Sequence, residues 1–411
     1  MIGSAGGPLA GIRVCDLSRV LAGPWCSQLL ADLGAEVIKI ERPGEGDDTR
    51  GWGPPFLKDR SGSPTSDAAY FLSTNRGKRS VTIDIAHPEG QRLVRRLAAS
   101  SDVLLENFKV GGLAKYGLDY ASVRDEAPGI VYCSITGFGQ TGPYAHRAGY
   151  DFLVQGMGGL MSVTGEPDEV PGGGPMKVGV AITDLFTGMY AAVAILAALA
   201  HRARTGEGQY IDLALMDVQV ATLANQAMNY LASGQAPGRL GNAHPNIVPY
   251  QAFRASDGHI ILAVGNDAQF RRFCEVAGRA DLAEDDRYRS NAGRVANRST
   301  LVPLLADLIS ARPRREWLDA LEREGVPCGP INRVDEVFTD PQVMARTMVV
   351  GVDHPLAGVI PLVANPIRFS ATPIAYESAP PVLGADTGAV LREVLDLDDR
   401  AINELRSAGV V

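Results

Sequence analysis

Residues 12–41 read IRVCDLSRVLAGPWCSQLLADLGAEVIKIE, and this stretch decides the architecture of the chain. Its first six residues have the apolar character of a short strand. Pro24 then stands at the opening of a helix, where a missing N–H costs nothing, and apolar side chains recur at helical spacing as far as Leu33. Gly34 offers the left-handed residue that ends a helix, and residues 36–41 return as a second strand. This is a β-α-β unit, and such a crossover brings its two strands side by side in parallel.

The pattern recurs downstream. Residues 80–85 read as a strand, a helix opens at Pro88 and runs to about Ala99, and strands follow at 102–106 and 130–135. A further strand is expected at 209–215 and a helix at 217–231. The alternation predicts an α/β fold: a Rossmann-like large domain over residues 1–224, with a mostly parallel sheet and helices on its faces. Residues 233–249, rich in Gly, Pro, Asn and Ala, read as a linker or a site loop. Beyond them a hairpin (250–253 with 259–264) and helices near 267–277, 301–309 and 315–324 predict a smaller α+β domain within 225–335. Residues 336–411, ending in helices near 387–395 and 398–408, are expected to return to the large domain.

Composition narrows the function. With 411 residues, 45% hydrophobic and 21% charged, the chain can bury a large core, and a net charge of -8 argues against a nucleic-acid or anionic-membrane surface. Five cysteines without a C-x-x-C pair fit buried thiols in a reducing compartment, so a cytoplasmic location is expected. The six histidines show no H-E-x-x-H spacing, and no metal site is expected. Residues 1–9 lack the basic and apolar regions of a signal peptide. The longest apolar run, 189–200, falls short of the ~20 residues that span a bilayer, so no membrane partner is expected.

Residues 172–200 hold the most informative carboxylate. A glycine-rich loop at Gly172, Gly173 and Gly174 leads to Asp184, just ahead of an apolar helix at 185–200 that is expected to be buried around most of its circumference. Asp184 is either an ordinary helix cap or a nucleophile; in both readings backbone N–H groups and the helix dipole favour its ionised form.

Other motifs divide the same way. GFGQTG at 137–142 matches a dinucleotide-binding pattern, but Pro143 follows it and no helical pattern begins there, as a pyrophosphate site requires. Arg76, Lys78 and Arg79, with Arg42 and Arg50, either grip a phosphorylated ligand at strand ends or form a solvated surface. Asn107 and Phe108, directly after a strand, either read a purine edge or make a turn. His146, Tyr150 and Asp151 lack the context of an activated hydroxyl or thiol. Trp25, Trp52 and Trp317 are expected to pack.

In order along the chain, VLAGP (20–24), IKIERP (38–43), NRGKRS (75–80), ENF (106–108), SITGFG (134–139) with GPY (142–144), GYD (149–151), the Asp184 segment, GVPCGP (325–330) and LG (383–384) resemble the class III CoA-transferase (CaiB/BaiF) family. GNAHPNIVPY (241–250), DRAI (399–402) and SAGVV (407–411) look most like its succinyl-CoA:dicarboxylate branch, of the hydroxymethylglutarate/glutarate type. The resemblance implies that Asp184 is the catalytic residue. It implies CoA contacts from Val20, Leu21 and Arg42, from Leu72, Ser73, Thr74, Asn75 and Lys78, and from Asn107, Phe108 and Lys115. Arg147, Ala148, Gly149 and Tyr150 complete the set. It further implies a ring-shaped monomer in an interlocked homodimer, no tightly bound cofactor, and a CoA thioester and a small carboxylic acid as substrates. CoA would pass from the donor to the acceptor acid through an aspartyl anhydride and an aspartyl-CoA thioester. His244, Arg19 and Arg76 are candidates for holding a distal carboxylate. The family's 2-methylacyl-CoA racemases carry a His-Asp pair where this chain has Tyr150 and Asp151, which makes proton transfer on a thioester the alternative. A nicotinamide-dependent oxidoreductase and a CoA-binding scaffold are the others.

Overall fold

The computed structural model describes residues 6–411; of the expected leader-free start, residues 1–5 lie outside the described residues. The described chain divides into two compact units, one made of residues 6–159, 178–224 and 342–411, the other of residues 160–177 and 225–341.

The first unit is built on a six-stranded sheet: β1 (Arg13–Asp16), β2 (Glu36–Glu41), β3 (Lys78–Thr82), β4 (Val103–Glu106), β5 (Val131–Thr136) and β6 (Gln209–Ala214). Their spatial order is β3-β2-β1-β4-β5-β6, and every neighbouring pair is parallel. Alternate side chains feed opposite cores. Cys15, Ile38 and Leu104 face Val94, Leu97, Leu391 and Ile402, whereas Val14, Val37, Leu105 and Val131 face Cys26, Leu30, Ala191 and Ile195. Burial on both faces explains why the central strands β4 and β5 are mostly apolar along their length. The strand order reverses between β1 and β4, and it is at such a reversal, outside the carboxyl ends of the strands, that open parallel sheets of this kind place their binding crevice.

Several expectations shift. The third strand begins at Lys78 rather than residue 80, because its cationic residues pair in register with Val37 and Ile38. The helix expected at 217–231 is broken into Leu215–Thr222 and Ala224–Ser233, with Ala224 at φ +47°. The apolar helix runs from Ile182 to Thr205, 24 residues, and so starts before Asp184. It packs Ala191, Ala192, Ile195 and Ala198 inward but leaves Phe186, Met189, Tyr190 and Val193 exposed, so it is not buried around most of its circumference. By length and composition alone it is long and apolar enough to cross a membrane, which the shorter apolar run did not suggest.

The second unit pairs Tyr250–Ala255, Gly258–Ala263 and Cys328–Pro330 as an antiparallel sheet under the helices Asp267–Val276, Arg298–Ser310 and Arg314–Arg323. Phe253, Ile260, Phe270, Phe273, Leu305 and Trp317 form its core. The buried Arg294 is satisfied by Val248 O, Tyr288 O and Asp267 at 2.7–2.9 Å, as a buried cation must be.

Candidate active site

The loop after β1 forms one wall of the crevice, and side chains from both directions hold its backbone. Ser18 N–H donates to Asp16 Oδ1 (2.9 Å), and Ser18 O accepts from Lys39 Nζ (2.9 Å). Asn107, just past β4, accepts from Arg19 N–H (2.9 Å) and donates to Arg19 O (2.7 Å), tying the two loops of the crevice together. Val20 sits at φ +72°, its N–H 3.3 Å from both Asp47 oxygens. For a β-branched residue this is a true outlier, costing on the order of 1–3 kcal/mol, and such strain gathers at functional sites.

Beneath the loop lies a buried polar layer. Lys39 pairs with Asp47 at 2.8 Å, while Lys78 donates to Asn75 Oδ1 (2.8 Å) and Pro24 O (3.0 Å) and lies 3.4 Å from Asp16. Burial lowers the Lys78 ammonium to about 8 despite Asp16. Burial alone would raise the Asp47 carboxyl, but Lys39 and Thr49 hold it at about 2.

The residues implied by the resemblance separate into two groups. Val20 and Asn107 stand in the loops that follow β1 and β4, with Phe108 under the Arg19 guanidinium (5.7 Å from the ring centre) and Leu21 buried at the start of the helix Ala22–Asp32. Arg42 is exposed and reaches Glu45 (2.9 Å), Lys115 lies over the Tyr116 ring, and Arg147 lies over Phe138 and Tyr144. Ala148 and Tyr150 are exposed, Gly149 is half-buried against Gly137, Leu72 is half-buried and Ser73 exposed. Thr74, Asn75 and Lys78 are instead enclosed. Three arginines of the basic cluster are held by carboxylates of this chain. Arg50 is clamped by Glu41 (2.7 and 2.8 Å) and Asp67 (2.7 Å), Arg76 by Asp32 (2.5 and 2.8 Å), and Arg79 by Glu36 and Glu393. Buried cations take carboxylate partners because desolvation without one is prohibitive. Arg76 is thereby spent as a candidate for a distal carboxylate. Arg19 pairs with Asp48 at the surface, and His244 Nδ1 accepts from Asn246 N–H (3.1 Å).

Asp184 stands in the first turn of the helix Ile182–Thr205, and another residue supplies the cap. Asp151, opening the helix Asp151–Met157, accepts from Thr183 N–H (2.8 Å) and Asp184 N–H (3.3 Å) through one oxygen and from Gln155 Nε2 (2.6 Å) through the other. Gln155 in turn accepts from Val178 N–H, and Thr183 Oγ1 donates to Gln219 Oε1 (2.6 Å). The half-buried Asp184 carboxyl is raised to about 7, first by burial and second by the charge of Asp151. The expected stabilisation of its ionised form is thus overturned: the helix begins at Ile182, before Asp184, and the free N–H groups of its first turn go to Asp151, so burial outweighs the dipole.

Tyr70 was not singled out in the sequence. It is half-buried, its ring meets the exposed Trp52 edge-on at 5.3 Å, and its hydroxyl is pushed up to about 12 by burial and by Asp184, Asp151 and Asp47. No local pattern marks it, since it lies in a four-residue helix, Ala69–Leu72. Asp151 carried a weak signal, a carboxylate ahead of an apolar segment with Gln155 one turn on.

No helix begins at Gly137–Gly142; turns run from there to the helix at Asp151, so the dinucleotide pattern lacks its phosphate-binding terminus. Gly173 and Gly174 spend their N–H groups on Val170 O and Glu166 O in their own turn. Among the described residues, no three His, Cys, Asp or Glu side chains are gathered to hold a metal ion.

The model of CoA-transferase family III matches residues 9–387. The chain is 55% identical over 394 residues, 96% of its length and 97% of the relative's, to the succinate--glutarate CoA-transferase of Agrobacterium fabrum. It is 45% identical to the human succinyl-CoA:glutarate CoA-transferase, over 98% of this chain and 90% of that one. A crystal structure of a CaiB/BaiF family protein from Brucella suis superimposes with a TM-score of 0.83 at 53% identity, covering 95% of this chain and all of that one. A full-length match in sequence and fold, around a crevice at the strand reversal with a half-buried aspartate on its own helix, identifies the chain as a member of CoA-transferase family III.

Proposed function

We propose that the protein transfers CoA from succinyl-CoA to glutarate or a closely related dicarboxylate, with Asp184 as the nucleophile. The observation that supports the mechanism is the half-buried Asp184 in the first turn of its helix, beside the capping Asp151, where burial first and Asp151 second raise its carboxyl to about 7. A carboxylate so raised is partly ionised at neutral pH and more nucleophilic than an ordinary one. Its oxygen attacks the succinyl thioester carbonyl, the C–S bond breaks, and CoA leaves as the thiolate with a succinyl-aspartyl anhydride behind it. The thiolate attacks the Asp184 carbonyl and releases succinate, giving an aspartyl-CoA thioester. The acceptor carboxylate then displaces CoA to form a second anhydride, and CoA attacks its acyl carbonyl, freeing Asp184. Enclosure protects each anhydride from water.

The donor and acceptor are supported by the names of similar relatives, the succinate--glutarate and succinyl-CoA:glutarate CoA-transferases. The racemase alternative finds no support at Asp151, whose two oxygens are occupied by Thr183, Asp184 and Gln155. The interlocked homodimer belongs to the same proposal; the exposed stripe Phe186, Met189, Tyr190 and Val193 supports an assembly that covers it. The test is incubation with succinyl-CoA, hydroxylamine trapping and peptide mass analysis, alongside turnover with glutarate. A hydroxamate on the Asp184 peptide is expected, and an unmodified Asp184 under turnover overturns the mechanism.

A further inference from the structure

The reaction as described leaves the buried Lys39–Asp47 pair without a task. Their side chains are 1% and 0% exposed, and a buried ion pair contributes little to stability compared with an apolar pair of the same shape. What the pair does hold is the crevice wall. Asp47 receives Val20 N–H on both oxygens, with Thr49 N–H (3.0 Å) and Thr49 Oγ1 (2.8 Å) on one and Lys39 on the other. Lys39 also donates to Ser18 O, so two residues of the β1 loop are tied to the β2 side, while Arg19 between them is tied by Asn107 to the β4 side. A valine does not rest at φ +72° unaided, because its branched side chain crowds the backbone there.

We propose that Lys39 and Asp47 are positioning residues that hold Val20 in its left-handed conformation and so keep the crevice wall shaped for the CoA thioester. Neither touches the substrate. They act through Val20, and the inference rests on the proposed reading of this crevice as the thioester site.

The test compares wild type, Asp47→Asn, Val20→Gly and the double variant with succinyl-CoA and glutarate. Asp47→Asn is expected to lower kcat about tenfold or more and to raise KM for succinyl-CoA, since misplacing a binding wall is paid in the transition state. Glycine takes a positive φ without a tether, so Val20→Gly is expected to recover a large part of that loss, and the two effects will not multiply. If Asp47→Asn does not fold, Lys39→Met with Asp47→Leu removes both charges together and is expected to show the same defect and the same rescue. Wild-type turnover in the Asp47 variants, or losses that multiply independently, overturns the inference while leaving Asp184 acylation intact. A wild-type enzyme whose Asp184 is never acylated overturns the site reading first and this inference with it.

Discussion

Asp151 caps the helix on which Asp184 stands, accepting N–H groups of Thr183 and of Asp184 itself, so one carboxylate performs the task that local sequence assigned to the other. The exchange separates their roles. The capping carboxylate is satisfied by three donors, and the second, half-buried and set beside a like charge, keeps a raised pKa that leaves its ionised form the more basic.

The pH dependence of kcat/KM for succinyl-CoA follows. The nucleophile is the carboxylate, and its pKa is raised to about 7, so the rate rises as pH climbs towards 7 and levels above it. Asp151→Asn removes the smaller cause of the shift, so the midpoint moves to lower pH while burial keeps it above 3.8. A pH–rate profile of both proteins checks the displacement.

Replacing Asp184 by Asn should abolish transfer, by about 10⁴-fold or more, as removal of a nucleophile does. Stability should move the other way. A carboxyl whose folded pKa lies above its unfolded value favours folding below about pH 3.8 and loses that contribution as pH rises through about 7. The variant should therefore melt above wild type at pH 8 and level with it at pH 4, as read by scanning calorimetry.

Tyr70→Phe keeps the ring against Trp52 and deletes only the hydroxyl. If that hydroxyl donates to an acyl oxygen at Asp184, kcat falls about 10²-fold with little change in melting temperature. Stopped-flow measurement of the CoA-release burst places the loss at acylation or after it.

Gly188 lets the helices Ala22–Asp32 and Ile182–Thr205 meet: a Cβ there would lie 2.6 Å from Ala22 O and 3.0 Å from Trp25. Gly188→Ala should cost about 1–3 kcal/mol from overpacking. Urea denaturation measures the cost, and activity should fall with it because Asp184 lies one turn away on the same helix.

Local sequence determined the strands and helices of the sheet, because apolar periodicity, the prolines at helix starts and Gly34 act within a few residues. It marked Asp184 as chemically unusual and, through ordered motifs, pointed to the family. Only the tertiary structure decided what each charge does. Arg76 finds Asp32 and Arg50 finds Asp67, 44 and 17 positions away, and those partners turn cations that read as a phosphate grip into buried ion pairs. Asp184 loses its capping role to a residue 33 positions earlier, and Tyr70 comes under its influence from a separate segment. Periodicity records which face a residue shows, but the partners and solvent exposure that set a pKa arise only when distant segments pack together.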